Sequence, residues 1–328
     1  MKLLTGFLLL PFLSLSAAAQ SWTPKTPPPD PIGAGASAAS AGGLAYLLCG
    51  GGTSQFFSYD PATDAWAPRA DLPAVVDTGA GIAAAGAFLY ATQGGNLDGF
   101  FRFDVAGNAW TKLSATPFRV QDNSKIAAAA GSIYLLEGAA SVAFARFDPV
   151  SGSWSPRAPL PIGALPGTCL VALSDSRLLA IPGGTLVPRF YDPALDRWTP
   201  GPEVPVPAGP GSLLAVHSDG RIFFIAGGTT DIYEAPPDAS TWVELPTDAP
   251  GLPSTQPVAF ATGEIFVMTP TTFVTFASLP EAAPPADCDC DHGSDFGGCS
   301  AGGRAGAAAP FAAGILVLLY ARRRSVAS

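Results

Sequence analysis

The sequence predicts an all-β fold assembled from 44-residue repeats, and three observations predict it. All six tryptophans, Trp22, Trp66, Trp110, Trp154, Trp198 and Trp242, stand 44 residues apart. Only 13% of the 328 residues are charged, while 37 are glycine and 34 proline, a composition that suits short strands with tight turns and disfavours long helices. Apolar runs of strand length, such as Leu44-Ala45-Tyr46-Leu47-Leu48 and Ile222-Phe223-Phe224-Ile225-Ala226, recur at one phase of the repeat, as expected for strands packed on both faces.

The repeat carries further marks. Seven residues before four of the tryptophans stands an aromatic followed by an acid: Tyr59-Asp60, Phe103-Asp104, Phe147-Asp148 and Tyr191-Asp192. About fifteen before comes a glycine pair, as in Gly51-Gly52, Gly94-Gly95, Gly183-Gly184 and Gly227-Gly228, weakened to Gly138-Ala139 in the third repeat. Proline follows seven residues after, at Pro29, Pro73, Pro117, Pro161 and Pro205. A glycine pair after an apolar run, then an aromatic with Asp, then Trp, resembles the kelch repeat. That resemblance implies one four-stranded blade of a β-propeller per repeat, over roughly residues 21 to 280.

In chain order, residues 1 to 19 have a lysine, an apolar run and the small residues Ala17-Ala18-Ala19, the layout of a secretory signal peptide with cleavage expected after Ala19 by signal peptidase. Residues 20 to 280 hold the repeats. Ser21-Trp22-Thr23-Pro24 has the sequence of an outermost fourth strand that lacks its first three. Strand-like runs at Phe260 to Thr262, Gly263 to Met268 and Thr272 to Phe276 lie at the other end of the array. Joining the two completes a sixth blade and leaves no open edge, so six blades closed by an N-terminal strand are expected.

Each mark has a structural reading. The glycine pair is expected to end the second strand, with positive φ and a close approach of the next blade. Asp-Pro makes the turn out of the third strand, its acid accepting local backbone N–H bonds. The tryptophan supplies buried area between blades. Function is therefore to be sought where repeats differ.

Alternation of strands puts the loops after the second and fourth strands on one end of the ring. Most of these carry no ionisable group, as in Pro161 to Gly167 and Pro205 to Pro210. The exception runs from Phe118 to Lys125, and its Arg119, Gln121, Asp122, Asn123 and Lys125, with Asp77 as the register partner of Gln121, form the candidate ligand-binding set. Gln93, Asn96, Asp98 and Glu137 lie in nearby loops. Such a cluster suits a sugar, a peptide or an ordered ion, and a protein or carbohydrate ligand is expected; the bland alternative is an ordinary solvated loop.

Between residues 21 and 286 there are 12 Lys plus Arg against 22 Asp plus Glu, a field that repels nucleic acid. The chain has two histidines and no HExxH, GxSxG or CxxC pattern, so metalloprotease, serine esterase and thioredoxin chemistry lack their minimal parts. A copper oxidase of the kelch-propeller type would need two histidines at the ring's mouth, whereas His217 lies in an apolar strand run and His292 in the tail. No metal and no cofactor are expected. Two functions stand: a binding module, and an envelope enzyme acting on a sugar, the activity implied by a resemblance to sialic acid mutarotases of the kelch family.

From residue 281 to 304 the composition turns to Pro, Asp, Gly and Cys, the signature of a stalk. Residues 305 to 328 hold seventeen uncharged residues, Ala305 to Ala321, then Arg322-Arg323-Arg324, the layout of one short membrane span with a cytoplasmic arginine cluster. With Cys299 just before it, this tail resembles the MYXO-CTERM sorting signal of myxobacterial surface proteins. That resemblance implies removal of the span by a sorting protease near the cysteine and display on the cell surface. A permanent single-span anchor is the alternative. Cys49 and Cys169 read as separate buried thiols on opposite sides of the ring, whereas Cys288 and Cys290 could pair with each other or with Cys299. A monomer is expected.

Overall fold

The computed structural model describes residues 22–245, 258–261, 264–270 and 272–276. The expected signal peptide with Ala19, the stalk and the C-terminal segment with Cys299 and Arg322 to Arg324 lie outside the described residues. Within them every regular element is a β-strand, and the strands form six four-stranded antiparallel sheets. The innermost strands are Ser37–Ala41, Gly81–Ala85, Lys125–Ala129, Cys169–Ala172, Leu213–Val216 and Val258–Ala261. Each touches the innermost strand of the following blade, and Val258–Ala261 touches Ser37–Ala41, which closes the ring.

The sixth blade is composite. Val258–Ala261, Ile265–Met268 and Phe273–Phe276 form its first three strands, and Trp22–Pro24 pairs antiparallel with Phe273–Phe276 in the register Trp22 to Phe276. Lys25 N–H continues the ladder to the Phe273 carbonyl at 2.9 Å. Closure by the N-terminal strand leaves the last blade without a bare third-strand edge.

Blades adhere through aromatic rings. Phe56, which opens a third strand, lies 5.0 Å from the Trp110 ring of the following blade, and Phe100 with Trp154 (4.9 Å) and Phe144 with Trp198 (5.1 Å) repeat the contact. At the closing interface Trp66 lies 5.7 Å from Phe273. These tilted and edge-on pairs add to the plain area burial of the second-strand residues Leu47, Leu89, Leu135 and Leu179, all fully buried. The blade is thus held by its neighbours, so the sequence returns the same residue types at each interface.

The turn out of each third strand follows the sequence. Asp60, Asp104, Asp148 and Asp192 each accept a hydrogen bond through Oδ1 from the backbone N–H two residues on, at 2.8–3.0 Å. Two residues before the tryptophan the chain enters the left-handed region, at Asp64 (φ 52°), Asn108 (φ 47°), Gly152 (φ 68°) and Asp196 (φ 49°). These positions reach the preceding blade. Asn108 Oδ1 accepts the Ala70 N–H and Asp196 Oδ1 accepts the Ala158 N–H, while Asp64 accepts from both the N–H and the hydroxyl of Thr26. The indole N–H of Trp66, Trp110 and Trp198 donates to the carbonyl 40 residues earlier, of Thr26, Ala70 and Ala158 respectively. Where the acid is Asp, the aromatic five residues earlier is tyrosine, and its hydroxyl donates to the carboxylate at 2.7 Å: Tyr59 to Asp64 and Tyr191 to Asp196. Where it is Asn or Gly the aromatic is Phe103 or Phe147, which has nothing to donate.

One expectation needs correction. The glycine pair does end the second strand, with positive φ at Gly51, Gly52, Gly94 and Gly95, but it packs on the entry loop of its own blade. A Cβ on Gly94 would meet the Asp77 carbonyl at 2.2 Å and one on Gly183 the Pro166 carbonyl at 2.2 Å. The second glycine of the pair does meet the next blade through its N–H, Gly52 donating to Val76 at 2.9 Å and Gly184 to Ala208 at 2.8 Å, but the positions where a Cβ would strike the next blade lie two residues before the innermost strand. There a Cβ on Gly35 would lie 1.9 Å from the Asp77 carbonyl, and one on Gly79 1.8 Å from the Gln121 carbonyl. Innermost strands converge on the axis, so their entries crowd first.

Candidate functional site

The loops after second and fourth strands share one end of the ring, as the alternation requires. Short bridges tie them together at Thr53 to Val76 and Leu97 to Val120, and Ala140 and Gly184 N–H groups donate to the carbonyls of Ala164 and Ala208. This face surrounds the mouth of a central channel of about 730 Å³ walled by the innermost strands. Its wall is largely uncharged: Gly, Ala, Pro, Ser and Thr residues ring the mouth, and apolar side chains such as Ile82, Ile126, Leu170 and Leu213 stand among the alanines of the innermost strands. Among the described residues lining it, only Asp122 and Lys125 are charged.

The structure divides the sequence-predicted set in two. Asp122, Asn123 and Lys125 line the channel. Asp77, Arg119 and Gln121 do not. Asp77 is exposed and its Oδ1 accepts the N–H of the adjacent Thr78 at 2.7 Å, so the carboxylate caps its own turn. Arg119 is exposed and donates through a terminal guanidinium nitrogen to the Asn96 carbonyl at 2.8 Å, bracing the neighbouring loop. Gln121 is half-buried, its carbonyl facing Gly79 of the preceding blade. Of the nearby polar residues, Glu137 is engaged within its own loop, accepting from the Ser141 hydroxyl at 2.6 Å.

Asn123 owes its place to backbone shape. The register two residues before the innermost strand is left-handed in five blades, at Gly35 (φ 77°), Gly79 (φ 79°), Asn123 (φ 66°), Gly167 (φ 94°) and Gly211 (φ 86°). Asparagine is among the few residues with a side chain that tolerate this region. At the third blade alone among these, the channel rim therefore carries a polar amide.

Beside it, Ser124 Oγ accepts from the N–H groups of Gln121 and Gly138, both at 3.0 Å. Thr168 and Ser212, 44 and 88 residues on, accept from Gly183 and Gly227 in the same way. These hydroxyls lash each entry loop to the glycine pair, and their role is structural.

Lys125 opens its strand and shares a register with Ser37, Gly81, Cys169 and Leu213. Its side chain is half-buried in the channel wall, and desolvation by the surrounding strands lowers its pKa from the ordinary lysine value. The next residue round the ring in this register is Cys169, a buried thiol donating to the carbonyls of Gly167 (3.3 Å) and Ser212 (3.2 Å). Burial pushes the Cys169 thiol up to about 12, against a smaller opposing pull from Lys125, so it stays protonated and unreactive. Cys49 is likewise buried and raised to about 12 by burial, with Asp30 and Asp71 adding to it. Sequence reading missed that Lys125 and Cys169 share a register on the channel wall, although their separation of 44 residues was the available signal.

His217 follows its strand, and its Nδ1 lies 2.8 Å from Asp219 Oδ1. Arg221 also binds Asp219, at 2.8 Å, and Glu234 at 2.6 Å, so this charged group is internally satisfied. No cluster of three or more His, Cys, Asp or Glu able to hold a metal occurs among the described residues.

No protein-family model matches the chain, and no curated protein matches it. Among solved structures, that of YjhT superposes with a TM-score of 0.61 and 17% sequence identity, covering 77% of this chain and 95% of the other. The match shows the fold. At this identity it transfers no site residue, since propellers carry their function in loops and channel linings that vary freely on a common scaffold.

Proposed function

We propose that the protein is an exported, surface-held propeller of the kelch type whose loop face binds a protein or carbohydrate ligand. Asp77, Arg119, Gln121, Asp122, Asn123 and Lys125 supply its polar contacts. In this reading residues 1 to 19 direct export, residues 281 to 304 are a stalk, and residues 305 to 328 sort or anchor the chain at the membrane.

The observation that carries a binding role is the composition of the channel mouth. Glycine, proline and hydroxyl residues with Asn123 ring the mouth, alanines and larger apolar residues such as Ile82, Leu170 and Leu213 wall the channel below, and one ammonium and one carboxylate are the charged groups among the described lining residues. Sugar-modifying chemistry by general acid and base needs both groups held together at the reacting atoms, whereas Asp122 is exposed on its entry loop and forms no ion pair with Lys125 among the described residues. A small, neutral, pre-formed concavity with a few fixed polar groups suits recognition instead.

The test is a glycan array and an envelope-protein binding screen on the purified propeller, followed by the double variant Arg119→Ala/Asp122→Ala. Both residues are exposed, so the variant should fold normally. Binding should weaken by about tenfold or more, the scale of one charge-assisted contact. Undiminished binding by the folded variant would remove this face from consideration.

A further inference from the structure

Resting on the reading of this face as the binding face, we infer that the channel mouth takes a carboxylate group, held by the ammonium of Lys125. Lys125 lines the channel, yet among the described residues no side chain or carbonyl bonds its ammonium and no carboxylate pairs with it. Asp122, the other charged residue of the lining, forms no ion pair with it. A half-buried ammonium on the channel wall with no ion-pair partner is partly desolvated, and a ligand anion supplies the missing counter-charge. The same register in the other blades holds Ser37, Gly81, Cys169 and Leu213, so the repeat does not require a lysine here.

With Lys125 the one cation and the exposed Asp122 the one anion among the described lining residues, the site has charge to match a single negative group at most. A phosphate dianion would leave a charge uncompensated in a site of low polarity, whereas a carboxylate is neutralised. The volume of about 730 Å³ lies in the range of small-molecule sites and leaves room beside Lys125 for the body of a ligand. Two sources carry this chemistry, a sugar acid and the C-terminus of a peptide.

The experiment uses protein whose lysines carry 13C-methyl groups, with the Lys125 resonance assigned by its loss in Lys125→Met. Four probes are titrated: glucuronate, neutral glucose, a trialanine peptide with a free C-terminus, and the same peptide amidated. A saturable shift of the Lys125 resonance with glucuronate alone identifies a sugar acid, and with the free peptide alone a C-terminus. Both responding also supports the inference. Glucose and the amidated peptide should leave it unmoved. Calorimetry should show affinity falling about tenfold or more in Lys125→Met and retained in Lys125→Arg. No response to either carboxylate, or equal binding by a folded Lys125→Met, overturns it. If Arg119→Ala/Asp122→Ala loses ligand while Lys125→Met keeps it, the loop-face function stands and the carboxylate site falls.

Discussion

Tyr191→Phe and Asp196→Asn, singly and together, probe the rim contact that ties the fourth blade to the third. Asp196 Oδ1 receives the Tyr191 hydroxyl at 2.7 Å and the Ala158 N–H at 2.9 Å, with Arg157 3.9 Å from its other oxygen. A hydrogen bond to a charged acceptor contributes about 1.5–3 kcal/mol, but the Asp196 side chain is 42% exposed, and solvent screening reduces this to about 1 kcal/mol. Tyr191→Phe should cost that amount without strain, because Phe103 and Phe147 occupy the same register in other blades. Asp196→Asn should keep the backbone contact, as Asn108 does with Ala70, and lose only the charge.

The acid limb gives a second reading of the same contact. Burial tends to raise the Asp196 pKa, but the Ala158 N–H, the Tyr191 hydroxyl and Arg157 together hold it below the ordinary value. A carboxylate depressed in the folded state contributes stability that is full above its unfolded pKa of about 3.9 and lost as pH falls through the folded value. Urea denaturation at pH 6 should therefore show each single variant about 1 kcal/mol below wild type and the double variant less than additive. Below about pH 3 the difference between wild type and Asp196→Asn should shrink toward zero. Additive losses at pH 6, or a difference that persists unchanged at the acid end, would refute the reasoning.

Two further outcomes are expected. Deleting residues 21 to 29 removes the strand Trp22–Pro24 and the Thr26 partners of Asp64 and Trp66, and should lower the thermal midpoint by well over about 5 °C and promote association through the bared Phe273–Phe276 edge; an unchanged calorimetric midpoint would contradict closure. Cys299→Ala should accumulate an unprocessed, membrane-embedded precursor, followed by a C-terminal epitope on immunoblots, whereas an intact epitope on mature wild-type protein would establish a permanent anchor instead.

Repetition is why so much of the architecture was legible before any coordinates. Each blade must bury the same faces against the same kind of neighbour, so Trp22 could be assigned to a sixth blade from its 44-residue phase alone, and the Asp turns after each third strand from their dipeptide. The Tyr–Asp rim contact was also written in the chain, in the match of Tyr59 and Tyr191 with Asp64 and Asp196 against Phe103 and Phe147 with Asn108 and Gly152, but nothing local shows that positions five apart meet across a turn. The candidate site was less legible. Sequence placed Asp77, Arg119, Gln121, Asp122, Asn123 and Lys125 together as one polar loop, and only the tertiary structure separated those at the channel from those bracing or capping their own turns. The direction in which a loop side chain points depends on the twist of the strand it enters and on the neighbouring blade, which belong to the ring as a whole. The lack of an ion-pair partner for Lys125 among the described residues is a property of the same kind, since it depends on how the blades are placed around the channel.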